Sequence, residues 1–312
     1  RYFCLSRGLG DVYKRQDVYR PETRPKIDWT GGAWSMVVVI TLLLGLTWGG
    51  REYAWTSPQI VALAAVTAIA GVLLYRTEQR AAEPVIPGSL LRGNVPLLST
   101  IAGFGNNVVW FGLILLIPLR LQLVLGASAT VAGALLTPAI VLAPTCSIVA
   151  GQIMSRTGRY RLPGLISGIF QVAGVSMLLF NPPGIGELWV TVSFIVAGVG
   201  CGFGGPTFMI TFQNGIPHRQ LGAGMGLLSL FRQFGSSLGT ALVGSIAGAG
   251  AVQASAPALA AAVHQAFTFE LVAAVLVLVT VWFTANEPLR TNIHETDDAG
   301  LPVAAPLVAA LN

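Results

Sequence analysis

Residues 270–283 read ELVAAVLVLVTVWF, and residues 37–46 read VVVITLLLGL. Neither run alternates apolar with polar side chains. A strand of a membrane barrel would alternate over about 10 residues, so both runs are read as helices. Each lies in a stretch close to the length a bilayer crossing needs, about 20 mostly apolar residues. Working outward from them, eight segments qualify: 31–49, 58–75, 95–118, 131–151, 162–180, 188–210, 222–247 and 264–284. Helix breakers fall between them: Ser57-Pro58, Pro84 and Pro87, Asn181-Pro182-Pro183-Gly184, Ile216-Pro217 and the Ala/Ser/Pro stretch 251–258. The expected fold class is all-α, a multi-pass membrane protein with eight transmembrane helices.

Composition agrees with this reading. The chain has 312 residues, 54% hydrophobic and only 10% charged, with a mean hydropathy of +0.70. Soluble domains carry roughly 25% charged residues. A soluble enzyme, a disordered chain and a collagen-like fibre are therefore excluded. The 37 glycines suit helices that approach closely in lipid. Cys4, Cys146 and Cys201 form no CxxC pair, so neither a metal site nor a cofactor is expected.

The net charge of +5 is explained by its placement rather than by nucleic acid. Lys and Arg gather in cytoplasmic loops. One set of loops holds Arg20, Arg24, Lys26, Arg76, Arg80, Arg92, Arg156, Arg159, Arg161, Arg219 and Arg290, whereas the opposite set holds Arg51 and Arg120. This split predicts a cell (inner) membrane protein with its N-terminal approach and C-terminus in the cytoplasm. The tail from 285 to 312 is polar, then Ala/Pro-rich, and reads as disordered. Residue 1 is Arg, and CLSRGLGDVYKRQ at 4–16 resembles translated sequencing-adapter read-through. Residues 1–16 are accordingly set aside, and 17–30 are read as a cytoplasmic linker.

An internal echo is present. IAGFGNN at 101–107 and VAGVGCG at 196–202 each open a span, and each is followed by a proline, Pro118 or Pro206. VAGALL at 131–136 and GAGMGLL at 222–228 follow in turn. Two copies of a three-helix unit are implied. Three is odd, so the copies lie inverted, as in transporter bundles.

GQIMSRTGRYR at 151–161 joins the fourth and fifth spans as a short basic hairpin. It resembles the GxLxDRxGRR motif of the major facilitator superfamily through Gly151, Arg156, Gly158 and Arg159, with Ser155 where the family has Asp. Further likeness lies in IDWTGGAW (27–34), LIPLRLQLVLGASATVAGALLTP (116–138), AGVGCGFGGPTF (197–208) and IPHRQLGAGMGLLSLFRQFGSSLGTALVG (216–244). Together these resemble the fourteen-helix drug:proton antiporters of the EmrB/QacA type. The resemblance implies that 31–75 is the central helix pair, 76–94 a cytoplasmic loop, and 95–284 the C-terminal six-helix bundle. The N-terminal half of such a protein would lie outside this chain, so this portion alone is not expected to transport.

Two motifs of soluble enzymes are set aside. GCGFGG at 200–205 fits a dinucleotide loop, and GSSLG at 235–239 fits a nucleophile elbow. Both need a strand-to-helix turn, and both lie inside apolar spans. Helix packing by Gly198/Gly202, Gly200/Gly204 and Gly235/Gly239 explains them better.

Charges inside spans are informative, because each costs about 2.5–3.5 kcal/mol at a helix centre. Only Arg232 and Glu270 lie well inside, at roughly 15 Å and roughly 21 Å from the cytoplasmic end. Arg232 is read as facing the bundle interior. Glu270 is read either as its ion-pair partner or, as the preferred alternative, as reaching the outer interface six residues from His264. His218, His264 and His294 show no metal-ligand spacing. Family architecture implies that the first helix of each unit lines the cavity. That points to Asn106, Asn107, Trp110 and Phe111, and to Phe203, Thr207, Phe208 and Thr211, a wall suited to amphipathic or cationic solutes. Pro118 and Pro206 are expected to kink or break their helices for gating.

The expected activity is proton-coupled efflux of drug-like small molecules, with lipid, solute and protons as partners. The coupling acid is placed in the N-terminal half. A complete eight-span scaffold that transports nothing is the alternative.

Overall fold

A computed structural model describes residues 28–49, 52–80, 93–180, 186–217, 220–252 and 256–284. These residues form eight α-helices: α1 Trp29–Trp48, α2 Pro58–Glu78, α3 Asn94–Leu119, α4 Ala129–Thr157, α5 Arg161–Leu179, α6 Glu187–Asn214, α7 Leu221–Val252 and α8 Ala256–Phe283. A π-helical turn, Arg120–Val124, continues α3. The expected read-through segment 1–16, most of the linker 17–30 and of the loop 76–94, the tail 285–312, His218, His294 and the cations Arg20, Arg24, Lys26, Arg51, Arg92, Arg219 and Arg290 lie outside the described residues.

Helix starts follow the sequence chemistry. The Asp28 carboxylate accepts from Gly31 N–H at 2.9 Å and opens α1. That amide, with the Thr30 hydroxyl, holds Asp28 below the usual carboxylate range. Ser57 and Ser128 cap α2 and α4 in the same way, and Pro58 takes the first position of α2. Gly158, at φ 64°, ends α4 in the left-handed conformation that glycine adopts without a Cβ penalty.

Several spans run longer than expected, α4 and α8 by the most. α4 continues six residues past 151, so Gly151 and Arg156 are helical and the α4–α5 turn is only Gly158–Tyr160. α8 begins at Ala256 rather than 264, inside the stretch read as a breaker. Alanine-rich sequence sustains helix there despite Pro257 near its first turn. Neither Pro118 nor Pro206 breaks its helix. α6 runs eight residues beyond Pro206, and α3 passes Pro118 before changing to π-helical winding at Arg120.

Seven of the helices are long and apolar enough to cross a membrane. The eighth, α7, is rich in glycine and carries Arg232-Gln233. It nonetheless runs alongside α3 through successive contacts. Gly103 meets Leu228 and Arg232, Gly235 meets the Phe104 carbonyl, and Gly239 meets the Val108 carbonyl. The order shows that α3 and α7 are parallel. α4 and α6 form a matching parallel pair, in which Gly198 meets Ala139 and Gly202 meets Ala143.

The six-helix bundle consists of two inverted three-helix repeats. Exchanging α3 with α6, α4 with α7 and α5 with α8 maps the main packing pairs onto one another. α3–α7 corresponds to α6–α4, and α3–α8 corresponds to α6–α5. The last two pairs are both antiparallel and both close on glycines, Gly105 and Gly112 in one and Gly174 and Gly200 in the other. α1 and α2 pack on each other, joined by a 2.7 Å Thr41–Thr67 hydroxyl contact, and α1 also touches α7. Large apolar side chains such as Val141, Ile148, Ile169, Val272 and Trp282 face outward. Outside lipid these would be an aggregation liability; in lipid they are solvated.

Candidate functional site

α3 and α6 are the central helices, and most of the residues singled out from the sequence lie on them. The structure separates these residues into three settings. Asn106 is buried and accepts from Gln171 Nε2 at 2.9 Å; the same amide also donates to Ser167 Oγ at 2.9 Å. Gly204 on α6 leaves the space that Asn106 and Ser167 occupy. Asn107 is buried and donates to its own helix at Gly103 O. Trp110 stacks on Phe194, centroids 5.8 Å apart and planes 15° from parallel. Phe203 packs on Cys146 and Ala150 of α4. Asn106, Trp110 and Phe203 tie α3 and α6 to each other and to α4 and α5, whereas Asn107 lies beside Gly235 of α7.

Thr207, Phe208 and Thr211 share the second setting. They line a small cleft with Ser99, Tyr160 and Arg161 at the end of the bundle where α4 turns into α5. Both threonine hydroxyls donate to carbonyls one turn back, at 2.7 Å, which leaves their methyl groups toward their neighbours.

The third setting is an open stripe. Leu97, Phe104, Phe111 and Pro118 recur every seven residues on α3 and are all part-exposed, Phe111 at 37%. Val192, Val199, Pro206 and Gln213 repeat this on α6, each 95 residues further on, and all are part-exposed. Phe111 thus corresponds to Pro206 and Pro118 to Gln213. The two most enclosed helices each leave one equivalent face uncovered.

The basic hairpin is built on Gly158. Thr157 Oγ1 accepts from Arg159 N–H at 3.3 Å and holds the turn. Arg156 and Arg159 are exposed, as is Ser155. Arg161 instead reaches across to α8, where its guanidinium lies 5.9 Å from the Trp282 ring and donates to Trp282 O at 3.4 Å.

Glu270 corrects the expectation. Its exposure is 0%, so it does not reach the outer interface. Its two carboxyl oxygens have no hydrogen-bond partner, so it does not pair with Arg232 either. It lies against Gly112 of α3, on the same face of α8 as the buried Val263, Ala266, Phe267, Ala274 and Val277. Depth along a helix said nothing about the face. Arg232 is half-buried against Gly103. His264 is exposed.

Sequence reasoning missed Gln171, Ser167, Gly112 and Arg120. Arg120 had counted only as a loop charge. In fact its guanidinium lies 5.2 Å from the Phe267 ring centre, and Nη1 donates to Leu178 O at 2.8 Å. An Arg so close to an apolar span, and a Gln inside one, were the signals available. Cys146 and Cys201 are buried free thiols. Among the described residues no three His, Cys, Asp or Glu side chains gather as metal ligands.

An inverted-repeat bundle with a central helix in each half is a transporter architecture. The family model described as Major Facilitator Superfamily matches residues 29–240, and the chain belongs to that family, whose members are membrane transporters and not enzymes. It is 30% identical over 229 residues to the multidrug transporter protein MdtP of Bacillus subtilis, covering 73% of this chain and 42% of that protein. It is 30% identical over 223 residues to multidrug resistance protein 3 of the same organism, covering 72% and 43%. It is also 29% identical over 218 residues to a tetracycline resistance determinant of Streptomyces rimosus, covering 69% and 62%. The chain thus spans less than two thirds of the length of these curated relatives.

Proposed function

We propose that this chain is the C-terminal portion of a fourteen-helix drug:proton antiporter of the cell membrane, with both of its ends in the cytoplasm. In this reading α1 and α2 are the central pair and α3–α8 the C-terminal bundle. The observation that carries it is the paired open stripe. α3 and α6 are otherwise the most enclosed helices of the bundle, so the face left open on each is the one available to a second bundle across a solute pathway. Phe111 presents an aromatic face of the kind that attracts organic cations. Thr207, Phe208 and Thr211, buried beside the small cleft at the α4–α5 end, back the open face of α6 there. Asn106, Asn107, Trp110 and Phe203 hold the helices that carry it. Arg156 and Arg159, set by Gly158, are the cytoplasmic gate cations, and Arg232 stands behind the pathway against α3. The names of the multidrug relatives support drug-like solutes.

The test uses an intact copy of the gene. Sequencing upstream of codon 17 is expected to find about six further apolar spans. Cells expressing the intact gene should resist a panel of cationic compounds, and a proton uncoupler should abolish that resistance. A start codon near Asp17, or resistance indifferent to the uncoupler, would overturn the reading.

A further inference from the structure

Among the described residues one acid is fully buried, and the pathway does not use it. Glu270 is fully buried in α8, with neither carboxyl oxygen hydrogen-bonded. Its place is made by Gly112: a Cβ there would coincide with Glu270 Oε1. The surroundings are apolar, with Val109, Leu113, Phe267 and Ala274 in the same core cluster. An ionised carboxylate left without a partner in such a place costs several kcal/mol or more, so the neutral acid is the form that this packing accommodates.

We propose that Glu270 is a proton-binding site, and that Arg120 is the counter-ion its carboxylate meets when the proton leaves. Among the described residues Arg120 is the cation placed to serve. It lies over Phe267, one helical turn from Glu270, and its Nη1 is held only by a backbone carbonyl of α5. It sits on the π-helical turn that follows Pro118. Such irregular turns are frequent at functional sites, since they can rewind without breaking the helix.

The other groups around α8 do not serve. Cys201 on α6 is within electrostatic reach but carries no positive charge. Arg161 on α5 is engaged at Trp282, 12 residues along α8. Arg232 on α7 lies against Gly103, nine residues before Gly112 on α3. His264 is exposed, six residues away on α8 itself.

The step is simple. The O–H bond of Glu270 breaks, the proton passes to water, and the carboxylate takes a guanidinium N–H that Leu178 O now accepts. Proton loss therefore exchanges an α3–α5 tie for an α3–α8 tie. The inference deepens the proton-exchange reading and rests on it only for what the released proton drives.

The site can be tested without transport. Infrared difference spectra of the purified chain in lipid nanodiscs, taken from about pH 5 to about pH 10, span the range in which buried carboxyl groups ionise. A protonated-carboxyl carbonyl band that persists above the range of surface acids, decays with pH and is absent in Glu270→Gln is expected. Arg120→Ala should extend the band to higher pH by about one unit or more, since an opposite charge favours the ionised form. Arg120→Lys, which keeps the charge if the alanine variant fails to fold, should leave the decay near its native position. No Glu270-dependent band, a band that does not titrate, or an unchanged decay in Arg120→Ala would overturn the proposal. Uncoupler-insensitive resistance in cells, with the band titrating as described, would sink the transport reading and leave the site standing.

Discussion

Replacing Gly239 by Ala places a methyl group against the backbone of α3. Its Cβ would stand 2.5 Å from Val108 O, 3.0 Å from Val108 Cα and 3.1 Å from Val108 C, where ordinary contact begins near 3.4 Å. The helices must part by about 0.9 Å along that line, and a carbonyl in a helix cannot swing aside as a side chain can. Overpacking of this kind costs about 1–3 kcal/mol. Alanine returns about 0.8–1.0 kcal/mol of helix propensity, but so does any Gly→Ala change within a helix. Gly133 on α4, with nothing within 4 Å of its Cβ position, is therefore the matched control. Gly239→Ala is expected to fall below Gly133→Ala by about 1–3 kcal/mol in reversible unfolding in mixed micelles. Adding Gly235→Ala should cost less than its value alone, because the helices have already separated. Equal stability of Gly239→Ala and Gly133→Ala would refute backbone contact between α3 and α7.

Two further predictions concern the ends of helices. Gly158→Ala forces a side chain into the left-handed conformation at φ 64°, and should cost about 1–2 kcal/mol of stability; Gly151→Ala, with open space around it, should not. The second concerns Asp28, which is depressed in the folded chain, so the native state binds fewer protons than the unfolded one. Its capping contribution is then complete above the ordinary Asp range, about pH 4, and is lost as pH falls below it. Hydrogen exchange at the Gly31 amide should speed up on acidification in the native chain. In Asp28→Asn it should be independent of pH over that window once intrinsic exchange is allowed for.

Seven of the eight helices were legible as spans because lipid demands length and apolarity, and both are written locally; the glycine-rich α7 falls short on apolarity. What each span faces was not. In a soluble helix the polar side marks the outside. Here Val272 and Ala274 are equally apolar, yet one is exposed and the other buried. Small residues carried the missing signal. Gly198, Gly202, Gly235 and Gly239, read from their spacing as packing positions, do meet a neighbouring helix. Gly112 stands alone in its sequence neighbourhood, and only the fold brings it to Glu270. The Asn106–Gln171 bond joins residues 65 apart on different helices, a pairing that no local pattern encodes. Arg232 and Glu270 were singled out by the cost of burying charge, but that cost is blind to direction around the helix axis.

The pseudo-two-fold relation between the repeats also bears on how the chain enters the bilayer. Copies that cross lipid in opposite senses cannot share the same loop charges, because a ribosome-bound insertion machinery retains basic segments on one side. The α4–α5 hairpin carries Arg156, Arg159 and Arg161, whereas its counterpart, the connection from α7 to α8, has no Lys or Arg anywhere between 233 and 289. Interior glycines and peripheral cations therefore diverge under separate pressures. The former keep the twins superimposable, and the latter must make them unlike, so a transplant of one hairpin onto the other copy would invert the topology while leaving the buried surfaces intact.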